Sequence, residues 1–123
     1  MAILKIFAAD GAKGDKRFYI ALIDNGKELL KSEEPTTDFA ADNNAKTLNI
    51  KGPTGEWEEK ETPFGKAFVF KPITDTYFTV SVELSLVLNV LGKAKIEWEP
   101  KELNPAYDPS KKEPNKNKGL SGS

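Results

Sequence analysis

The densest group of side chains that could take part in acid–base chemistry is the stretch Glu56 to Glu61, where four of six residues are glutamate. Two carboxylates on one face of a strand could serve as the acid and base of a glycosidase, or could bind Ca²⁺. A glycosidase needs its carboxylates in a cleft, and this short chain has no second pair of aromatic residues to build one. The stretch therefore predicts an exposed acidic edge strand with Trp57 exposed among the glutamates.

The other residue types that catalysis commonly uses are missing or isolated. The chain has no histidine and no cysteine, which excludes Cys/His zinc sites, thiolate nucleophiles and histidine bases. An Asp/Asn group within residues 38–44 lacks the spacing of a calcium loop, and the glycine-rich segment 11–15 lacks the Lys-Ser/Thr end of a phosphate loop. Ser81 and Ser85 have no histidine to activate them. We therefore predict no catalytic, cofactor-binding or metal-binding residues, and a protein that is not an enzyme.

An interleaved set of aromatic and lysine residues indicates a second kind of chemistry, the binding of single-stranded nucleic acid. Bases stack on rings and phosphates meet ammonium groups on such surfaces. The candidate residues are Phe64, Lys66, Phe68, Phe70, Lys71 and Tyr77. Two observations oppose this hypothesis. Phe68 and Phe70 have the spacing of residues that share a core face, and the chain has one arginine and a net charge of −1.

The C-terminal residues differ in composition from the rest of the chain. Four prolines and five lysines lie between residues 100 and 118. Such a segment buries too little apolar surface to offset its ordering entropy. We predict a β-rich domain over residues 1–100 and an extended tail over 101–123. Isolated hydrophobic residues in an extended chain can dock on a neighbouring protein, so Leu103, Tyr107 and Leu120 are candidate partner-binding residues.

Alternating apolar residues and turn signals predict mainly β-strands. Asn25-Gly26 joins two short apolar runs and is a strong signal for a hairpin. Phe78 to Val90 has apolar residues at seven alternate positions, which predicts one unusually long strand. Thr47 to Lys51 has the character of another strand, and Asp38 could cap a short helix near residues 38–45.

Together these elements favour an all-β fold, a small antiparallel sandwich or barrel of about seven or eight strands. The fold would hold at most the one short helix near 38–45 and would carry the extended C-terminal tail. An oligonucleotide-binding (OB)-like barrel is the alternative. The amino-acid sequence shows no evident internal repeat.

The first functional hypothesis is a non-enzymatic structural protein that interacts with neighbours in a larger assembly through its tail, as a homo-oligomer or a hetero-assembly. Its general character is similar to that of small virion subunits, and a bacteriophage capsid or tail accessory protein is one form of the hypothesis. The alternative is a module that binds single-stranded DNA or RNA on the OB-like barrel. We expect cytoplasmic synthesis and no membrane partner, because polar residues interrupt the apolar stretch from Val80 to Leu91. A location in the virion would follow from the phage hypothesis.

Overall fold

Seven strands form a single mixed sheet in the computed structural model of the chain, and two α-helices accompany it. The structure describes residues 1–13, 16–63, 65–99 and 101–104, without the side chains of residues 9–13, 16, 65, 66, 74 and 75. The elements are β1 (Ala2–Lys13), β2 (Lys16–Asp24), β3 (Lys27–Ser32), α1 (Asp38–Lys51), β4 (Trp57–Thr62), β5 (Gly65–Phe70), β6 (Ile73–Val80), α2 (Leu84–Leu91) and β7 (Lys95–Glu99). Short 3₁₀ turns follow α1 at Gly52–Thr54 and β7 at Lys101–Leu103.

The strand order is β4-β5-β6-β3-β2-β1-β7, with β4 and β7 at the two edges. All neighbouring strands are antiparallel except β1 and β7, which are parallel. The predicted all-β fold is confirmed in its coarser part, since the described residues are mostly β with seven strands, but the sheet is mixed and two helices replace the single short helix expected near 38–45. The described strands form one open sheet, so the expected second sheet of a sandwich and the closure of a barrel are not seen. Helices cover one face of the sheet instead.

The long strand predicted over Phe78 to Val90 is wrong, because β6 ends at Val80 and α2 begins at Leu84. The run also satisfies the helical spacing i, i+3, i+4 and i+7, with apolar residues at Leu84, Val87, Leu88 and Leu91. Val87 and Leu91 are fully buried, whereas Ser85 and Asn89 are exposed. The helix therefore buries the stripe that contains Val87 and Leu91. The alternating pattern of the sequence could not distinguish this helical stripe from the apolar face of a strand.

The first helix is longer than the sequence predicts, since α1 runs from Asp38 to Lys51 and includes the segment expected to be a strand. Thr37, and not Asp38, caps it, because its Oγ1 accepts a hydrogen bond from the Ala40 amide at 3.2 Å. Its buried residues Ala41, Ala45 and Leu48 recur at helical spacing and join the same core as the sheet.

The order β-β-β-α occurs twice along the chain, a regularity of the elements that the sequence analysis did not predict. The sequences that end the two helices correspond, as Leu-Asn-Ile-Lys-Gly at 48–52 and Leu-Asn-Val-Leu-Gly at 88–92. The units meet where β3 pairs with β6, at the third strand of each. Within the described ranges, neither helix has the length and apolar character needed to cross a membrane.

Several local predictions are confirmed. Asn25 and Gly26 adopt φ values of 52° and 80° and form the hairpin between β2 and β3. The acidic strand β4 lies at an edge of the sheet with its glutamates exposed. Trp57 is only half-exposed, however, because its ring stacks on Phe70 with centroids 4.7 Å apart and its Nε1 donates to the Gly52 carbonyl.

Candidate nucleic-acid interface on the open face of the sheet

The two faces of the sheet are chemically different. Strand alternation in β1 turns Leu4 and Ile6 toward the helices and places Lys5 and Phe7 on the opposite side. Both helices contribute buried residues to one core that contains Leu4 and Ile6, so they pack on the same face. We call the opposite side the open face, because none of the described helices packs on it.

A pair of aromatic rings lies on the open face. Phe7 and Tyr19 are directly opposite each other on β1 and β2, and their rings stack with centroids 5.9 Å apart and planes 25° apart. Both residues are half-exposed. Stacked cross-strand rings stabilise a sheet, and rings that remain partly exposed also offer π-faces to a ligand.

Two lysines contact this two-ring platform. The Lys5 Nζ lies 5.2 Å from the centroid of Phe7, and the Lys31 Nζ lies 5.6 Å from the centroid of Tyr19. These are cation–π distances, so each ammonium group lies over a ring. Both positive charges therefore lie at the platform.

The strand register explains the spacing of the two lysines. Ala21 on β2 is paired with Lys5 on one side and with Lys31 on the other. The lysine backbones are therefore two strand spacings apart, about 9–10 Å. Ala21 has a small side chain and is fully buried, so neighbouring side chains cover this position between the lysines. Lys31 is in turn paired with Thr79 on β6.

Carboxylates also lie on this face and limit its positive charge. Lys5 makes an ion pair with Glu99 at 3.1 Å, in which the Glu99 side chain is 68% exposed. Exposed ion pairs contribute about 0–1 kcal/mol, so a phosphate can replace Glu99 at little cost. Glu97 is adjacent to Lys5 across the ladder. The charge on the face is therefore mixed, with the lysines concentrated at the rings.

Beside the rings, Tyr77 on β6 borders a cavity of about 210 Å³. The cavity is also lined by Glu33, Ala67 and Thr79. Tyr77 is 39% exposed, because its neighbours Thr76 and Phe78 point to the core. Thr79 connects this cavity to the Lys31 position through the β3–β6 pairing.

A larger and more open cavity of about 690 Å³ lies at the β4 edge, where Trp57 and Val69 meet Glu56, Glu58 and Lys71. Here Glu56 pairs with Lys71 at 3.3 Å, and Glu58 pairs with Lys60 at 3.4 Å. Within the described ranges no three acidic side chains come together in a way that could hold a metal ion.

The six residues predicted to bind nucleic acid are not brought together on one surface. Phe70 is fully buried and packs on Trp57, so its ring is unavailable for stacking on a base. Phe68 is paired with Phe78 on the side that faces the helices and is half-buried. Lys71 is exposed at the β4 edge, while Tyr77 lies on the open face. Phe64 and the side chain of Lys66 are not among the parts of the chain that the structure describes.

Sequence reasoning missed Lys5, Phe7, Tyr19 and Lys31. Lys5 and Phe7 are two residues apart, which places both side chains on one face of a strand. This spacing was the available signal for a lysine next to a ring. Tyr19 lies between Phe18 and Ile20, so it was indistinguishable from a core residue in the sequence. Only the position of the helices shows which side of each strand is buried.

The candidate partner-binding residues of the tail have different outcomes. Leu103 is half-buried and packs against the core of its own chain. Its predicted role in binding a partner stays a prediction. Tyr107 and Leu120 lie outside the described residues, as does the tail from residue 105 onward. The division into a domain over 1–100 and a tail over 101–123 stays a prediction.

Comparison of the chain with protein-family models, curated proteins and solved structures finds no match. The function is therefore argued from the residues of this chain.

Proposed function

We propose that the protein is a non-catalytic binding protein whose open face binds single-stranded nucleic acid. One observation carries the proposal: the stacked rings of Phe7 and Tyr19 lie next to Lys5 and Lys31 on a sheet face that none of the described helices covers. RNA-recognition modules use the same combination, a sheet whose exposed aromatic residues stack two or three bases. This likeness lies only in partly exposed aromatic residues on a sheet surface and adds support only to the class of ligand.

The mechanism follows from the rings and the ammonium groups. Bases leave the solvent by stacking on Phe7 and Tyr19, and each stacked base contributes about 1–3 kcal/mol. Lys5 and Lys31 then lie beside the strand and contact phosphates as point charges. Stacking accepts any base, so this part of the surface binds with little sequence preference.

The number of lysines predicts the salt dependence. For single strands the logarithm of the association constant falls by about 0.7 per phosphate contact for each decade of salt. Two lysine contacts give a slope of about −1.4, so raising salt from about 50 to about 200 mM weakens binding about sevenfold. The carboxylates Glu97 and Glu99 lower the absolute affinity by opposing the same phosphates.

The test is fluorescence anisotropy of an end-labelled oligo-dT of about ten nucleotides, a length within the site sizes of single-strand binders. Tyr19→Ala should weaken binding about fivefold to about a hundredfold, which corresponds to the loss of one stacked base. Phe39→Ala is the matched control, because Phe39 is an exposed ring on α1, which packs on the other face. Intrinsic tryptophan fluorescence is a poor reporter, since Trp57 and Trp98 both belong to the helix side.

Two results would contradict the proposal. One is the absence of binding to oligo-dT at about 50 mM salt, where phosphate contacts are strongest. The other is an equal loss of affinity in Tyr19→Ala and Phe39→Ala, since that would separate binding from the open face.

A structural subunit of a larger assembly, including a phage virion accessory protein, is the second candidate. The observation that favours it is a pair of exposed apolar side chains on α1, Phe39 at 74% and Ile50 at 73%. They are eleven residues apart, about three helical turns, and so lie on one side of the helix. Under this candidate a second copy of the chain covers them. Deleting residues 101–123, or the substitution Ile50→Ser, should then convert the oligomer to monomer, as measured by sedimentation. Monomer at all concentrations in the full chain would refute it.

A further inference from the structure

The cavity beside Tyr77 combines an aromatic ring with a carboxylate that a neighbouring hydroxyl holds by a hydrogen bond. Its volume is about 210 Å³, and Ala67, whose small side chain is 1% exposed, forms part of its wall. Tyr77 supplies a half-exposed ring at the rim. The cavity adjoins the platform, because Thr79 in its wall is paired with Lys31, and Lys31 lies against Tyr19.

The carboxylate in the cavity wall is held in place. The hydroxyl of Thr79 donates to Oε2 of Glu33 at 2.6 Å, and the Glu33 amide donates to the Tyr77 carbonyl at 2.8 Å. An ionised carboxylate has about four acceptor positions, so the bond from Thr79 leaves several for a ligand. Glu34 also lines the cavity, and the two negative charges disfavour entry of a phosphate.

We propose that this cavity binds a guanine base of the single strand, an inference that rests on the proposed function and gives it a sequence preference. Guanine presents N1–H and the 2-amino group side by side, and the two oxygens of a carboxylate accept from both. Adenine and cytosine place a donor beside an acceptor, and the thymine N–H lies between two carbonyls that would face the carboxylate. Tyr77 stacks on the base while Glu33 accepts from its edge.

The experiment compares labelled strands of about ten nucleotides: oligo-dT, the same strand with one central guanine, and the same strand with inosine at that position. A single guanine per strand prevents quadruplex formation, and inosine lacks only the 2-amino group. The guanine strand should bind about fivefold to about a hundredfold more tightly than oligo-dT, the range for one bidentate contact to a base. Inosine should lose most of that advantage.

Glu33→Gln should remove most of the preference, because the amide keeps one acceptor oxygen but sets an NH₂ donor against the second donor of guanine. Affinity for oligo-dT should be retained or slightly raised in this variant. Glu28→Gln is the matched control, since it makes the same charge change at an exposed position of β3 outside the cavity and should keep the preference. Circular dichroism of both variants checks that the fold is retained.

The outcomes separate the inference from the proposed function. Equal binding of the guanine strand and oligo-dT overturns the guanine site and leaves the binding function intact. A guanine preference that survives in Glu33→Gln also overturns it. Failure of every strand to bind refutes the proposed function, and the guanine site with it. Glu33-dependent binding of a lysine-rich peptide without a guanine preference would assign the cavity to a cationic side chain instead.

Discussion

Asn49, near the end of α1, connects this helix to the end of α2 and to the loop before β7 through its side chain. Its Nδ2 donates to the carbonyl of Leu91 at 2.9 Å and to that of Ala94 at 3.0 Å. These acceptors lie at the end of α2 and in the loop before β7, 42 and 45 residues away in sequence. Asn49→Ala removes both bonds and leaves two carbonyls without this donor.

The end of helix α2 provides a matched control for this substitution. Asn89 occupies the corresponding position of α2, third from its end, as Asn49 does in α1, but it is exposed. Asn→Ala raises the helix propensity at both positions by about 0.5 kcal/mol. The difference between the two variants therefore isolates the tertiary hydrogen bonds.

The magnitude follows from the two bonds. Each hydrogen bond contributes about 1 kcal/mol net, so Asn49→Ala should reduce the free energy of unfolding by about 2 kcal/mol relative to Asn89→Ala. With a urea m-value of about 1–3 kcal/mol/M, the midpoint should fall by about 1 M. Urea titrations followed by circular dichroism measure both variants against the wild type. Equal midpoints for Asn49→Ala and Asn89→Ala would refute this account of how α1 is attached.

The remaining predictions concern two phenylalanines with opposite surroundings. Phe70 is fully buried against Trp57, so Phe70→Ala should lower the free energy of unfolding by about 3–5 kcal/mol in the same urea assay. A loss below about 1 kcal/mol would show that the ring is not in the core. Phe39 is 74% exposed, so Phe39→Ala should change stability by less than about 0.5 kcal/mol, and a larger loss would disqualify it as the binding control.

The run from Phe78 to Leu91 shows where sequence patterns stop being decisive. Apolar residues occupy so many of its positions that both a two-residue and a 3.6-residue period find a continuous stripe. The choice depends on what each side chain packs against. Phe78 is buried in the sheet, whereas Val87 and Leu91 are buried as part of a helix that lies over it.

The candidate site was predictable in its chemistry but not in its location. Aromatic residues interleaved with lysines indicated a stacking surface, and Tyr77 belongs to the set that the structure leaves on the open face. Phe70 and Phe7 each belong to a short run on a strand, Phe-Val-Phe for the first and Lys-Ile-Phe for the second, and neither run shows which face the helices cover. The helices bury the first and leave the second half-exposed, and their position is a tertiary property.

What the sequence determined by itself is local. The positive φ angles that Asn25-Gly26 accepts placed the first hairpin, and four closely spaced glutamates placed β4 at an edge because their charge disfavours burial. Only the tertiary structure decided that one sheet is covered on one face by two helices and open on the other. Contacts such as those of Asn49 with Leu91 and Ala94 span more than forty residues, and no period within a strand or helix encodes them.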